Sequence, residues 1–293
     1  MQLHNTLWQV QMSALSSVSH GGETRGTITL LRRELIMREG HPVHVPVISG
    51  NAWRGRLRRV AEELFRDAVG YGEDDDLPLS AIHTLRTGGS LAKTSGRPLT
   101  GSRLRVAREL IPPLALFGAA TGGRTVEGAL HVGKIMPITV ETGALTGVEV
   151  TAPDGFSATQ LETYTRQDES STPAVAELPL SVPLDTSTGE VDLAAVDQGS
   201  DFTLFRVETF PAGMRFSSWL RAHHLTGHQL AFLADLLSTF TAHGTLGGRA
   251  AIGHGLMRVA LEPRPGLPED LPDWRAPLQQ RREEVLEALR MLT

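Results

Sequence analysis

Cysteine is absent from the 293 residues. That removes disulfide frameworks, thiolate zinc sites, iron–sulfur clusters and a cysteine nucleophile at once. Long apolar runs are missing too, none approaching the roughly 18 residues of a membrane span. The opening MQLHNTLWQVQM lacks the charged-then-apolar order of a secretory signal. Lysine is scarce: only Lys93 and Lys134 among 28 basic residues, the rest being arginine. The expectation is a soluble, intracellular, cytoplasmic protein with no membrane partner. A hydrophobic fraction of 40% argues against wholesale disorder, and the length allows one large core or two small ones.

What is present is unevenly placed. The net charge is only -5. Yet Leu77 to Arg108 carries Arg86, Lys93, Arg97, Arg103, Arg105 and Arg108 with no acid, whereas residues 141–201 are rich in acids and hold one base, Arg166. Arginine suits phosphate because its planar fork donates two hydrogen bonds together, although a GC-rich genome would also favour it. The asymmetry suggests a polyanion on one surface and another contact, or solvent, on a second.

Residues 3–14 alternate, with Trp8, Val10, Met12 and Ala14 on one side, which predicts a half-buried strand. A hairpin through ITLLRRELIM and VHVPVI follows, turned at Glu39–Pro42. Trp53, Leu57, Val60, Ala61 and Leu64 predict a helix over about 51–68. Residues 70–115 read as an irregular insertion, a strand returns near 128–138, and the acidic stretch 141–201 reads as a second insertion. Another strand is expected over 202–210, extended by 214–216. Thr226 with Gln229 marks a helix start, Gly244 its stop, and GTLGGRAAIGHG leads to a last strand near 256–262 and a tail helix. Without insertions the order is βαββαβ, an α+β, ferredoxin-like pattern.

Three constellations stand out. In PVISGNAWRGRLRR (46–59), Gly50 and Asn51 suit a sharp strand-to-helix junction that Ser49 or Asn51 can cap. Arg54, Arg56, Arg58 and Arg59 crowd the start of the helix, against its macrodipole. An anion bound at the helix start would relieve that conflict, or the arginines pair with local acids or face water. In GTLGGRAAIGHGLMR (244–258), glycines allow close approach of backbone to a ligand, but by itself such a loop reads as a tight turn, and Arg249 and His254 within it favour a phosphate contact only slightly. Finally, His223, His224 and His228 raise the possibility of a zinc pair on a helix, but without an HExxH glutamate a structural or surface role is favoured. Aromatics are too few to suggest base stacking across the sheet.

Together, the Gly-rich turn after the first strand, PVISGNAWRGRLRR, LFGAATGG before a strand and GGRAAIGHGLMRV at the end resemble the RAMP superfamily of CRISPR-associated proteins. The junction is similar to that of backbone subunits polymerising along guide RNA, and Asn51, Trp53 and Arg54 resemble the type IV branch. The resemblance implies a modified RRM-like palm with two inserted elements: palm 1–69, finger-like insertion 70–125, palm strand 126–140, acidic thumb-like insertion 141–201, palm 202–275 and a C-terminal helix 276–293. It implies guide RNA (crRNA) contacts at Ser49, Gly50, Asn51, Trp53, Arg54, Arg58, Lys93, Arg97, Arg166, Gly247, Gly248, Arg249 and His254. The implied partners are guide RNA, complementary target nucleic acid, further copies of the chain and other CRISPR-associated subunits. No cofactor, metal or catalytic residue is implied. Target-cleaving relatives carry an aspartate after the first strand, and here Ser16–Thr29 offers only Glu23 as an acid. The competing reading is a metal-independent guide-processing endoribonuclease using His20 or His44. A metal-dependent hydrolase built on the three histidines is a third.

Overall fold

A computed structural model describes residues 2–89, 99–121, 124–148, 150, 158–166 and 203–292. The alternation of the first strand is realised from His4 to Ala14 (β1), with Trp8, Val10, Met12 and Ala14 buried. Short strands follow at Gly21–Arg25 (β2) and Ile28–Leu31 (β3). The expected hairpin is Arg33–Arg38 (β4) and His41–Pro46 (β5), turned where Glu39 and Gly40 take positive φ. The helix predicted over 51–68 runs Gly50–Val69 (α1). Its stripe of Trp53, Leu57, Ala61 and Phe65 is fully buried, and Gly70 closes it in the left-handed conformation.

The stretch expected to be irregular is helical in its described parts: Leu79–Thr87 (α2), Gly101–Leu110 (α3) and Pro112–Phe117 (α4). Their apolar faces pack on α1 and on each other, so tertiary packing overrides weak local periodicity. A ribbon of Ala119–Thr121 (β6) and Arg124–Val126 (β7) leads to Leu130–Val132 (β8), Met136–Pro137 (β9) and a helical turn, Gly143–Thr146 (α5). The remaining elements are Gln160–Arg166 (β10), Thr203–Thr209 (β11), Arg215–Leu225 (β12), Gly227–His243 (α6), Met257–Arg264 (β13), Arg275–Gln280 (α7) and Arg282–Arg290 (α8). The capping box expected at Thr226 and Gln229 opens α6.

The main sheet has the order β13-β1-β12-β8, antiparallel throughout, with β9 also on β12. Taking β1, β8, β12 and β13 as the four core strands gives 4-1-3-2 with α1 and α6 on one face. That is the βαββαβ ferredoxin-like palm. One strand corrects the sequence reading. The third palm strand is β12, not 202–210, which joins a second sheet of order β10-β11-β3-β2. The inner face of β12 carries Phe216, Ser218, Leu220 and Ala222, and buried Ser218 donates to the Lys134 carbonyl, so a hydroxyl interrupts its apolar signal. Glu208 fastens the second sheet from within: it accepts from the Leu31 amide at 2.8 Å, from both Arg33 terminal nitrogens and from Thr159.

Candidate nucleic-acid interface

Ser49 is the residue that caps α1, its hydroxyl accepting from the Ala52 amide at 3.2 Å. The Ser49 amide in turn donates to His20 Nε2 at 3.1 Å. Burial, with Arg32 nearby, lowers the His20 pKa, which keeps that nitrogen free to accept. Gly50 lies close under the carbonyls of Val132 and Gly133, while Asn51 is exposed. The helix start is therefore tied to two neighbouring segments and leaves Asn51 and Arg59 facing solvent.

The arginine crowding has a different resolution from either one weighed above. Arg58 is only 7% exposed and donates to the carbonyls of Phe117 and Gly118, both at 2.9 Å. Arg54 donates to Phe117 and Leu130 carbonyls at 3.0 and 3.3 Å. Both guanidiniums sit 5.3 Å from the Phe117 ring centre. Phe117 ends α4, so the two cations occupy the negative end of another helix. Burial and the adjacent Arg54 lower the Arg58 pKa to about 10. A Cβ on Gly88 would fall 2.7 Å from the Arg58 guanidinium, so only glycine lets the side chain through. Arg58 is thus corrected from an RNA contact to an internal clamp, and Arg54 shares that role while half-buried. Trp53 is corrected likewise: it is 0% exposed and belongs to the core. Arg56 turns the other way and donates to Thr245 Oγ1 at 3.1 Å, linking α1 to the glycine-rich loop.

That loop is built by close approaches within the chain. Gly247 has φ 84, and a Cβ there would lie 2.3 Å from the Ser19 carbonyl oxygen. The Gly248 amide donates to that same oxygen at 2.8 Å, leaving both glycines exposed on their outer side. His254, expected at the RNA, is 3% exposed. Its Nδ1 meets Ser17 Oγ at 3.2 Å and its Nε2 meets the Tyr164 hydroxyl, which donates to Glu162 at 2.7 Å. It is a strut between the loop and β10, which corrects that assignment. Burial raises the Glu162 pKa, but hydrogen bonds from Thr209, Tyr164, Ser17 and Gln160 outweigh it and hold the carboxyl at about 2. Burial and the Glu162 bond push Tyr164 up to about 12.

Arg249 lies in the same loop. It is half-buried, in the left-handed conformation at φ 62, with its guanidinium 5.6 and 5.1 Å from the Tyr164 and Phe205 ring centres. Those rings stack 5.5 Å apart. A guanidinium held against aromatic rings keeps its charge while losing conformational freedom. The aromatic pair was not legible beforehand, because its partners sit 41 positions apart on strands joined through residues outside the described set.

The other expected contacts fall elsewhere. Lys93 and Arg97 lie outside the described residues, as does most of the acidic stretch 141–201. Arg166 ends β10 opposite Thr203. His224 ends β12 and His228 begins α6, so the pair straddles a junction instead of sharing a helix face. Among the described residues no group of three or more His, Cys, Asp or Glu is placed to hold a metal. Glu23 lies in β2, exposed, and is paired with Arg25 at 3.2 Å.

The family model of the RAMP superfamily matches residues 28–258. This chain belongs to the RAMP superfamily. Among solved structures, a chain of a "Type IV-B CRISPR Complex" is 31% identical, with a TM-score of 0.62 over 91% of this RAMP chain and 94% of that one. No curated protein matches. The type IV resemblance drawn from Asn51, Trp53 and Arg54 agrees with that likeness, although Trp53 serves it through the core.

Proposed function

We propose that this RAMP protein is a non-catalytic subunit of an RNA-guided CRISPR-associated complex, gripping guide RNA by its backbone in copies laid side by side. The supporting observation is the arrangement around α1. Exposed Asn51 and Arg59, the Arg56–Thr245 link, exposed Gly247 and Gly248 and the ring-mounted Arg249 gather polar and cationic groups suited to phosphate and ribose. Among the described residues, no stacking aromatics lie at this site beyond those that carry Arg249, which fits backbone binding that leaves bases free to pair. Target nucleic acid, further copies and other subunits are the partners this role requires, in the cytoplasm. The chain expressed with a guide locus should carry RNA of discrete length through purification, seen as a high 260/280 absorbance ratio and a gel band. Clean protein that fails to bind single-stranded RNA at low salt refutes the reading. A defined cut in repeat RNA with EDTA present would favour the endoribonuclease instead. His20 is a poor base for that reaction, since its Nε2 already holds the Ser49 amide.

A further inference from the structure

The palm sheet has a second face, turned away from α1 and α6. On β1 it presents Leu7, Gln9, Gln11 and Ser13, opposite Arg221, Trp219, Ser217 and Arg215 of β12. Across β1 on the other side, the same residues face Arg264, Glu262, Ala260 and Arg258 of β13. Trp219 is 46% exposed at the middle of this face, whereas Trp8, Trp53 and Trp274 are 2%, 0% and 3% exposed. Its indole is seated: a Cβ on Gly133 would lie 2.7 Å from the ring nitrogen, and the Gly133 amide donates to the Trp219 carbonyl at 2.8 Å. A cavity of about 550 Å³ beside the ring is lined by Leu7, Gln9, Lys134, Met136 and Ser217.

The unpaired charge around the ring has one sign among the described residues. Arg215, Arg221 and Arg258 are exposed, and no acid pairs with them among the described residues. Glu262, the acid on this face, is held by Arg264 at 3.1 Å. At strand spacing, Arg221 lies about 7 Å and Arg215 about 13 Å along β12 from Trp219. An indole fixed flat, flanked by unpaired guanidiniums and the amides of Gln9 and Gln11, offers a π-face for one base, forks for phosphates and donors for base edges. A protein partner would call for a broad apolar centre, and here the apolar neighbours of Trp219, namely Leu7, Met136 and Leu145, are bordered by Gln9, Gln11, Lys134 and arginines.

We infer that the open palm face around Trp219 is a second binding site for single-stranded nucleic acid, stacking one base on the indole between phosphates held by Arg215 and Arg221. The inference runs against the expectation of no base stacking on the sheet, and it does not depend on the guide-binding site proposed above.

Because the other three tryptophans are buried, acrylamide-accessible emission reports on Trp219. The full chain is titrated with fluorescein-labelled oligouridine and oligoadenosine at low salt, reading anisotropy and tryptophan quenching together, in wild type, Arg249→Asn, Trp219→Ala and Trp219→Phe. The inference expects saturable quenching and loss of acrylamide access in wild type and in Arg249→Asn. It expects about 5- to 150-fold weaker binding at this site in Trp219→Ala, the scale of one stacked base, with recovery in Trp219→Phe. Duplex RNA should quench little. RNA that binds by anisotropy while Trp219 emission and accessibility stay unchanged overturns the inference and leaves the Arg249 site standing. Quenching that persists with an anisotropy curve indifferent to Arg249→Asn supports the inference and removes the other reading. Protection of Trp219 that rises with protein concentration in the absence of RNA overturns the inference in favour of a contact between copies.

Discussion

Replacing Arg58 with alanine should unfold this protein more readily instead of simply releasing RNA. The side chain is 7% exposed and makes two 2.9 Å bonds to main-chain carbonyls at the end of α4. Hydrogen bonds from a charged donor contribute about 1.5–3 kcal/mol each, and carbonyls left buried without a partner cost about 1–3 kcal/mol. Water entering the space vacated by the guanidinium offsets part of this, so a net loss of roughly 3–5 kcal/mol is expected. Urea unfolding followed by circular dichroism reads it directly. At a slope of about 3 kcal/mol/M the midpoint should fall by roughly 1–1.7 M with little change in slope. Arg59, one position on and exposed, serves as the control, and Arg59→Ala should leave the midpoint within a few tenths molar. An Arg58→Ala protein with the wild-type midpoint and weakened RNA binding would refute the clamp and return Arg58 to the ligand.

Three further outcomes follow from other parts of the fold. Glu162 sits at about 2 when folded against an ordinary 4.5. A depressed carboxyl stabilises the fold fully above its unfolded pKa, so about 2–3 kcal/mol should disappear as pH falls from about 4.5 to 2. In Glu162→Gln that acid-side slope should flatten, and an unaltered slope would count against the Ser17–His254–Tyr164–Glu162 strut. Arg249→Asn, which tolerates the left-handed backbone, should cut the log–log salt slope of RNA binding by about 0.7 without changing the thermal midpoint; an unchanged slope removes Arg249 from the phosphate contacts. Leu35 and Met37 are 55% and 63% exposed on the β4–β5 hairpin. If that hairpin meets a neighbouring copy, Leu35→Glu/Met37→Glu should reduce the mass assembled on long RNA in light scattering, and equal masses would exclude it.

The palm was legible wherever one face of an element is buried and the other wet. β1 and α1 announce themselves because Trp8, Val10 and Met12, or Trp53, Leu57 and Phe65, repeat at the strand or helix period. β12 hid because its buried face includes Ser218, whose hydroxyl is satisfied by a carbonyl that sequence cannot supply, and because His223 and His224 drew a metal reading. α2, α3 and α4 hid for other reasons: α4 is six residues buried throughout, and α2 and α3 bury only Ala81, Thr84 and Leu85, and Ala107 and Leu110, stripes too short to stand out.

The site divides along the same line. The sequence motifs singled out the start of α1 and the glycine-rich loop, and the residue types misled about which of their side chains face out. A run such as RGRLRR reads as a basic surface, yet helical spacing sends Arg58 inward with Leu57 and Ala61 and leaves Asn51 and Arg59 outside. An arginine inside a fold needs acceptors, and carbonyls at a helix end provide them without an acid, so charge pairing along the sequence gives no warning. The same reasoning explains His254, a titratable residue in a glycine-rich loop whose two nitrogens are both engaged before any ligand arrives. In this RAMP protein Arg54, Arg58 and His254 form a frame bonded within the chain, and under the proposed function the frame's work is to hold Arg249, Asn51 and the exposed glycines in place. Mutations in the frame should therefore lower affinity and stability together, whereas mutations at Arg249 should lower affinity alone, and that split separates the two groups experimentally.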